Sequence, residues 1–195
     1  ASSEVEEIPL DATDAEQLKP VVADVTAIVN CIGGSSRTML ANARALVEAT
    51  APLAKAPRIV HLSSMAAYGE QSGLIDEQQP LYGDLDTYSA AKRDVEACLA
   101  EAHRVVTLRP GCIYGPGSRQ WSLRVARWLR AGRVGDLGPM GDGYCNAVHI
   151  DDVVDAIVQT LRRPETEGRA FNLASPEAWT WTDYFITFGC ALGAV

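Results

Sequence analysis

No two cysteines in this chain are spaced C-x-x-C, no G-x-G-x-x-G occurs, and no apolar run approaches the roughly 18 residues that a membrane-crossing helix needs. Each absence excludes something. The five cysteines (Cys31, Cys98, Cys112, Cys145, Cys190) are an odd number, and none of the three histidines stands at ligand spacing from them. A disulfide framework and a structural zinc site are therefore not expected, no metal site of any kind is predicted, and the reducing cytoplasm is the expected location. The N-terminus, Ala1-Ser2-Ser3-Glu4, has no basic segment followed by an apolar one and does not read as a secretion signal. Basic residues are in deficit, 17 against 25 acidic for a net charge of −8, which argues against nucleic acid or an anionic membrane as a general partner.

What is present is ordinary globular composition: 47% of residues are hydrophobic and 22% charged, enough to bury a core in one domain of this length. Hydrophobic runs alternate with helical patterns, the signature of β-α-β units around a parallel sheet. Ala27–Ile32 ends in Gly33-Gly34, Arg58–Leu62 ends in Ser63-Ser64, and Val105–Arg109 ends in Pro110-Gly111. Each reads as a buried strand closed by a loop of small residues. Helical spacing predicts helices over Arg37–Ala51 and Thr87–Ala102, a basic helix near Arg119–Ala131 and another over Asp151–Arg162. A short strand at Ala170–Leu173 and a final helix capped by Thr182 follow. In such sheets ligands sit beyond the carboxyl ends of the strands, so the three loops are predicted to line one site. The glycine-rich phosphate cradle of such sites is missing; Gly33-Gly34 and Gly141-Asp142-Gly143 are only fragments of it.

Tyr88-Ser89-Ala90-Ala91-Lys92 puts a phenol and an ammonium four residues apart, on one face of the predicted helix. With six tyrosines and three lysines, a chance Y-x-x-x-K is expected roughly 0.1 times in such a chain, so the spacing alone decides little. Its company decides more. Ser63-Ser64 ends the preceding strand, Tyr68-Gly69 follows, and Arg109-Pro110 with Tyr114-Gly115-Pro116 marks the next strand. Taken in order, Val60–Gly69, Tyr88–Lys92, Leu108–Gly117, Val148–Val153 and Phe171–Leu173 resemble the extended branch of the short-chain dehydrogenase/reductase family, the NAD-dependent epimerase/dehydratase group.

The resemblance implies an α/β fold: a partial Rossmann-like doubly wound parallel sheet with part of a small C-terminal substrate-binding subdomain. Residues 1–116 and 146–163 would form an incomplete dinucleotide-binding domain, and residues 117–145 and 164–195 part of the substrate-binding subdomain. Leu10–Asp14 resembles the end of the family's third strand. By that likeness the family's first strand, cradle, first helix and second strand precede residue 1, and the C-terminus is cut short. The implied cofactor is NAD or NADP, and the implied partner is a small polar substrate, with sugar derivatives among the candidates and a homodimer of the full-length enzyme left open.

By the same resemblance Tyr88 is the general acid/base, Lys92 its partner, and Ser64 the hydroxyl that orients the substrate. A free tyrosine titrates near 10, and an ammonium together with a cationic nicotinamide favours the phenolate, so a lowered Tyr88 pKa is expected. The implied cofactor contacts are Asp11 at the adenine, Asn30, Cys31, Ile32 and Gly33 beside the cofactor, Ser63, Tyr88 and Lys92, and Pro110 and Ile113 at the nicotinamide amide. From the residues alone Asp11 reads equally as a turn or helix cap, and Ser64 as a strand terminator. His149 reads as a packing residue, and Arg119, Arg124, Arg127 and Arg130 beside Trp121 and Trp128 as a solvated face.

Two positions depart from the family's sugar-nucleotide members, which place an Asn where this chain has Cys112 and an Arg where it has Cys145. A thiol supplies neither a fixed cation nor strong donors, so a nucleotide-diphosphate substrate does not follow from the resemblance. The leading reading is an NAD(P)-dependent oxidoreductase or epimerase acting on a hydroxyl or carbonyl. The rivals are a non-catalytic dinucleotide sensor or scaffold on the same fold, and an inactive fragment. The Ser64, Tyr88, Lys92 set favours the enzyme, because a sensor has no chemical need for a tuned phenol.

Overall fold

Four strands, β1 (Ala27–Asn30), β2 (Arg58–Leu62), β3 (Val105–Pro110) and β6 (Ala170–Leu173), form one parallel sheet in the order β1-β2-β3-β6. The structure, a computed structural model, describes residues 5–194. Register brings Ile28, Ile59 and Val105 into one row, and Leu62, Leu108 and Phe171 into another. Alternate side chains go to opposite faces of a strand. Val60, Val106 and Leu108 accordingly pack with Ala156, Ile157 and Leu161 of helix α5 (Ile150–Arg162). The other face is covered by α1 (Ala15–Ala23), α2 (Ser36–Thr50) and α3 (Thr87–Leu99), whose Leu18, Met39, Ala43, Leu46, Ala91, Val95 and Leu99 close over Ile28 and Val105. Burial on both faces is why β2 and β3 read as nearly unbroken apolar runs in the sequence.

The remaining elements make a second, smaller layer. Strands β4 (Cys112–Tyr114) and β5 (Ala147–His149) pair in parallel, with Cys112 opposite Ala147 and Tyr114 opposite His149. Gly111 links β3 to β4 where a side chain does not fit: a Cβ there would lie 1.8 Å from the Asn146 carbonyl oxygen. Over this pair sit α4 (Val125–Arg130) and α6 (Trp181–Ala191), joined through Val125, Leu129, Cys145, Tyr184 and Phe185. Among the described residues no helix is long and apolar enough to cross a membrane.

The predicted helices fall close to their spans, while α1, with Pro20 inside it, was not anticipated, and three local readings gain detail. Leu10–Asp14 pairs with no strand among the described residues and ends in a turn. The Asp11 carboxylate accepts the Thr13 N–H at 2.9 Å and the Thr13 hydroxyl at 2.7 Å, and Asp14 caps α1, so both acids turn the chain. Thr180, not Thr182, caps α6: its hydroxyl takes the Asp183 N–H at 3.0 Å, and the Asp183 carboxylate returns to the Thr180 N–H at 3.0 Å. The basic helix begins as a wider π-helix over Arg119–Arg124 before narrowing into α4. Strand β6, drawn from the 164–195 segment, joins the large sheet, while β4 and β5 leave it, so the expected division at 116, 146 and 164 does not coincide with the break between sheets.

At the amino ends of the strands, buried Arg58 donates to the Thr160 and Leu161 carbonyls at 3.0 and 2.8 Å and to Glu167 at 2.6 Å. Arg104 reaches the same carboxylate at 3.0 Å. These bonds tie β2 and β3 to the carboxyl end of α5, where carbonyls lack helical partners.

Candidate active site

The carboxyl ends of β1, β2 and β3 open on a cleft of about 960 Å³. Cys31, Ile32 and Gly33 line it after β1, Ser63 and Ser64 after β2, and Pro110, Gly111, Cys112 and Ile113 after β3. Tyr88 and Lys92 reach it from α3, and Arg119, Gln120, Trp121, Tyr144 and Trp181 form the wall on the side of the small layer. The structure thus gathers Cys31, Ile32, Gly33, Ser63, Ser64, Tyr88, Lys92, Pro110 and Ile113 in one place, as the three-loop argument expects.

Helix α3 presents its two residues through a sequence of caps. Asp86 accepts the Ser89 N–H at 2.7 Å and starts the helix; the Ser89 hydroxyl, fully buried, donates to the Ala66 carbonyl at 2.7 Å. That second bond fixes α3 against the short 3-10 turn Met65–Tyr68, which Ser64 begins by accepting the Ala66 N–H at 3.2 Å. Ser64 therefore terminates a strand and faces the cleft at once. Tyr88 stays 43% exposed while Lys92 is only 5% exposed, with its ammonium donating to the Leu62 carbonyl at 2.9 Å and lying 5.7 Å from the centre of the Tyr88 ring.

Electrostatics at this pair differ from the expected direction. Burial pushes the Tyr88 phenol above its ordinary value, a hydrogen bond with the Ser64 side chain pulls it down, and Asp86 pushes it up again. The ammonium of Lys92 is not what lowers it. Burial also depresses Lys92, against the opposing charge of Glu96 one turn on. In the protein by itself the phenol is a proton-holding acid, and positive charge brought into the cleft is what would make it a base.

Behind the cleft lies a buried ionic network that the sequence reading missed. Glu96 and Arg109 meet at 2.7 Å with side chains 8% and 7% exposed, and the Ser63 hydroxyl donates to the same carboxylate. Arg109 donates onward to the Tyr68 hydroxyl at 2.7 Å, and Tyr68 donates to the Asn172 side-chain carbonyl at 2.8 Å. The chain β2–α3–β3–β6 is thereby joined at its site end through polar groups. Glu96 sits four residues after Lys92, so a helical extension of the Y-x-x-x-K spacing would have pointed to it.

The other expected residues fall elsewhere. Asp11 is exposed and outside the lining of the cleft. Asn30 is buried beneath it: its side chain donates to Asn42 at 2.9 Å, lies 3.5 Å from the His61 ring, and accepts the Ile32 N–H at 3.2 Å, so it shapes the loop after β1 from below. His61 is 2% exposed, and burial, reinforced by the nearby Lys92 charge, holds its pKa down at about 3. His149 caps α5 and packs edge-on to Tyr114 with ring centres 5.2 Å apart, a packing role. Of the four arginines near Trp121, Arg119 alone lines the cleft; Arg124, Arg127 and Arg130 face outward.

Residues 2–174 match the model of the NAD dependent epimerase/dehydratase family. Protein YeeZ of Escherichia coli strain K12 is 28% identical over 126 residues, which is 62% of this chain and 40% of YeeZ. Among solved structures, the human epimerase family protein SDR39U1 (isoform 2) with NADPH is similar at a TM-score of 0.77 and 22% identity, over 92% of this chain and 67% of that one. dTDP-glucose 4,6-dehydratase of Bacillus anthracis strain Ames, in complex with NAD, is similar at 0.80 and 20% identity, over 95% of this chain and 64% of the dehydratase. The chain thus spans less than half of YeeZ and about two thirds of these solved proteins.

Proposed function

We propose, because this chain belongs to the NAD dependent epimerase/dehydratase family and brings Ser64, Tyr88 and Lys92 to one cleft, that it is the site-bearing part of an NAD- or NADP-dependent oxidoreductase or epimerase. The substrate is a small polar molecule with a hydroxyl or carbonyl, a sugar derivative being the class that the nucleotide-sugar dehydratase among the similar structures supports. A nicotinamide dinucleotide, when bound, supplies the hydride acceptor or donor. The observation that carries the reading is the convergence of Tyr88 and Lys92 from one helix face onto Ser64 at the end of β2.

The residues present fit the nicotinamide end of such a group. Around Gly33 a Cβ would meet nothing within 4 Å, so the backbone lies open to close approach, and Pro110 and Ile113 line the same cleft opposite it. Cys31, Ile32, Gly33, Ser63, Pro110 and Ile113 would flank the dinucleotide, Asn30 holding the first loop in shape. Asp11 would have to act at the adenine from outside this cleft. Lys92 and Arg119 are the cations on the cleft wall.

In the chemistry proposed, Ser64 donates its hydroxyl to the substrate oxygen and fixes it beside Tyr88. The phenol oxygen of Tyr88 takes the proton of a substrate hydroxyl in the oxidative direction and returns it in the reductive one. Lys92, held by the Leu62 carbonyl, stands behind the ring, and positive charge brought into the cleft beside Tyr88 is what would favour the phenolate that takes the proton. The test uses the complete protein that carries this chain, with dTDP-glucose and UDP-glucose as trial substrates. Tyr88→Phe should cut turnover by roughly 10²–10⁴-fold, the usual worth of a positioned acid/base, while calorimetric NAD affinity stays at the unmodified value. Turnover equal to that of the unmodified protein at saturating NAD would overturn the assignment.

A further inference from the structure

On the side of the small layer the cleft has an aromatic wall that the acid/base chemistry does not use. Trp121 and Trp181 lie with ring centres 5.4 Å apart at an angle of 34°. Tyr144 is brought alongside by the backbone: the Trp181 N–H donates to the Gly143 carbonyl at 3.0 Å, and Tyr144 forms a bridge to Thr180. Three aromatic residues from three separate segments thus line one place. The wall is also held firmly. Ser118 accepts the Trp121 N–H at 3.2 Å and donates to the Ile113 carbonyl at 2.9 Å, which ties the π-helical turn to β4, and the Tyr184 hydroxyl donates to the Trp121 carbonyl. Met65, next to Ser64, and Leu85, three residues before Tyr88, add further apolar surface to the same cleft.

Charge on this cleft is sparse. Among the described residues its ionic side chains are Asp86, Lys92 and Arg119. Asp86 caps α3, and the ammonium of Lys92 is buried against the Leu62 carbonyl. Arg119 is exposed and, among the described residues, makes no side-chain hydrogen bond or ion pair. The exposed amides of Gln120 and Asn146 line the cleft with no side-chain partner there either. What the wall offers a ligand is therefore one guanidinium, two amides and a flat aromatic surface. A guanidinium fork matches one carboxylate with two parallel hydrogen bonds. An amide supplies both donors and an acceptor, which suits hydroxyl groups, and the negative face of an aromatic ring receives the C–H groups of a saturated ring. A phosphate monoester carries close to two charges at neutral pH, so a single arginine would leave part of that charge unpaired beside apolar surface, at a cost.

We propose that this wall selects a sugar acid, a pyranose ring bearing one carboxylate and no phosphate. Arg119 takes the carboxylate, Gln120 and Asn146 take ring hydroxyls, and the aromatic wall takes the C–H face of the ring, which leaves a hydroxyl for Ser64 and Tyr88. The inference rests on reading the cleft as that of an oxidoreductase or epimerase of sugar derivatives, and it narrows that class: Arg119 becomes the residue that separates singly charged sugars from neutral and doubly charged ones.

Calorimetric titrations of the complete protein that carries this chain, with and without NADH, compare glucuronate and galacturonate with neutral methyl glucoside, glucose 6-phosphate and UDP-glucose. NADH cannot accept a hydride, so a hydroxyl substrate binds without being oxidised. At least one of the two uronates should bind roughly tenfold or more tightly than each of the other three, the worth of a hydrogen-bonded charge. Arg119→Gln should bring uronate down to the affinity of methyl glucoside and leave methyl glucoside unchanged. Should that variant not fold by circular dichroism, Arg119→Lys, which keeps the charge and loses the fork, should reduce the uronate preference. Trp121→Leu should weaken uronate and methyl glucoside alike. Tighter binding of UDP-glucose or glucose 6-phosphate than of either uronate, no uronate binding at millimolar concentration, a uronate preference that survives the change at Arg119, or unaltered sugar affinity in folded Trp121→Leu would overturn the inference. The acid/base reading fails by a different result, normal turnover in Tyr88→Phe, so the two are judged separately.

Discussion

At the amino ends of β2 and β3, Glu167 receives Arg58 at 2.6 Å and Arg104 at 3.0 Å with its own side chain 27% exposed. At the carboxyl ends Glu96 and Arg109 meet at 2.7 Å, 8% and 7% exposed, and among the described residues no second cation shares the carboxylate. The same two residue types thus do different work at opposite ends of one sheet. Glu167 keeps contact with water, so its desolvation is small, and the two guanidiniums beside it, Arg104 foremost, hold its carboxyl below the usual range. A pair as dry as Glu96–Arg109 offsets its desolvation only through good geometry and further hydrogen bonds, here from Ser63 and to Tyr68. Ionic burial of that kind is concentrated where the cleft is, and what it secures is the placement of the β2 loop relative to α3.

The comparison breaks most visibly at Glu96. Glu96→Ala strands a buried guanidinium and should cost roughly 3–5 kcal/mol of stability, read as a fall in the urea midpoint. A loss no larger than that at Glu167 would mean that the site-end pair is effectively solvated. The second handle is acid. His61 belongs to the site end, and its ring is held at about 3 against 6.5 when free. The unfolded chain therefore takes a proton that the folded one refuses, so the contribution is complete above 6.5 and lost as pH falls toward 3. Between pH 6.5 and about 5 the loss should be about 2 kcal/mol, and His61→Gln should flatten that part of the stability curve; equal slopes in the two proteins would place the acid sensitivity elsewhere. The smallest effect is at the opposite end. Glu167→Gln retains one polar oxygen for Arg58 and Arg104 and should lower stability by about 1 kcal/mol, measured in the same urea titration.

Much of this arrangement was legible in the sequence because it follows from period and punctuation. Apolar runs ending in Gly33-Gly34, Ser63-Ser64 and Pro110-Gly111 gave strands with loops at a common end, and the four-residue step from Tyr88 to Lys92 gave a shared helix face. What stayed hidden depends on contacts between segments. Glu96 and Arg109 are an ordinary surface-type pair in sequence, and only the packing of α3 on β3 makes them dry. That Cys112 and Cys145 share one cluster depends on the close approach at Gly111. At Leu10–Asp14 the sequence left a turn or cap open beside the strand-end likeness, and the structure adds that the side chains of Asp11 and Asp14 bind backbone a few residues ahead and turn the chain. The choice of Thr180 over Thr182 turned on which threonine had an acid three residues on.

The π-helical turn at Arg119–Arg124 has a consequence for how this chain tolerates changes in length. The Leu123 N–H reaches back five residues to the Ser118 carbonyl at 2.9 Å, one residue more than an α-helix encloses. The segment is in effect an α-helix carrying an inserted residue, and the widened turn is what lets Ser118, Arg119, Gln120 and Trp121 all line the cleft. Deleting a single residue here would restore the α-helical ladder without opening a gap in α4. It would also turn Trp121 by about 100° about the helix axis, away from Trp181, whose ring centre now lies 5.4 Å from its own. A one-residue indel at this point would rebuild one wall of the cleft while keeping the α-helical ladder of α4, so the shape of the cleft is open here to changes of length as well as of side chain.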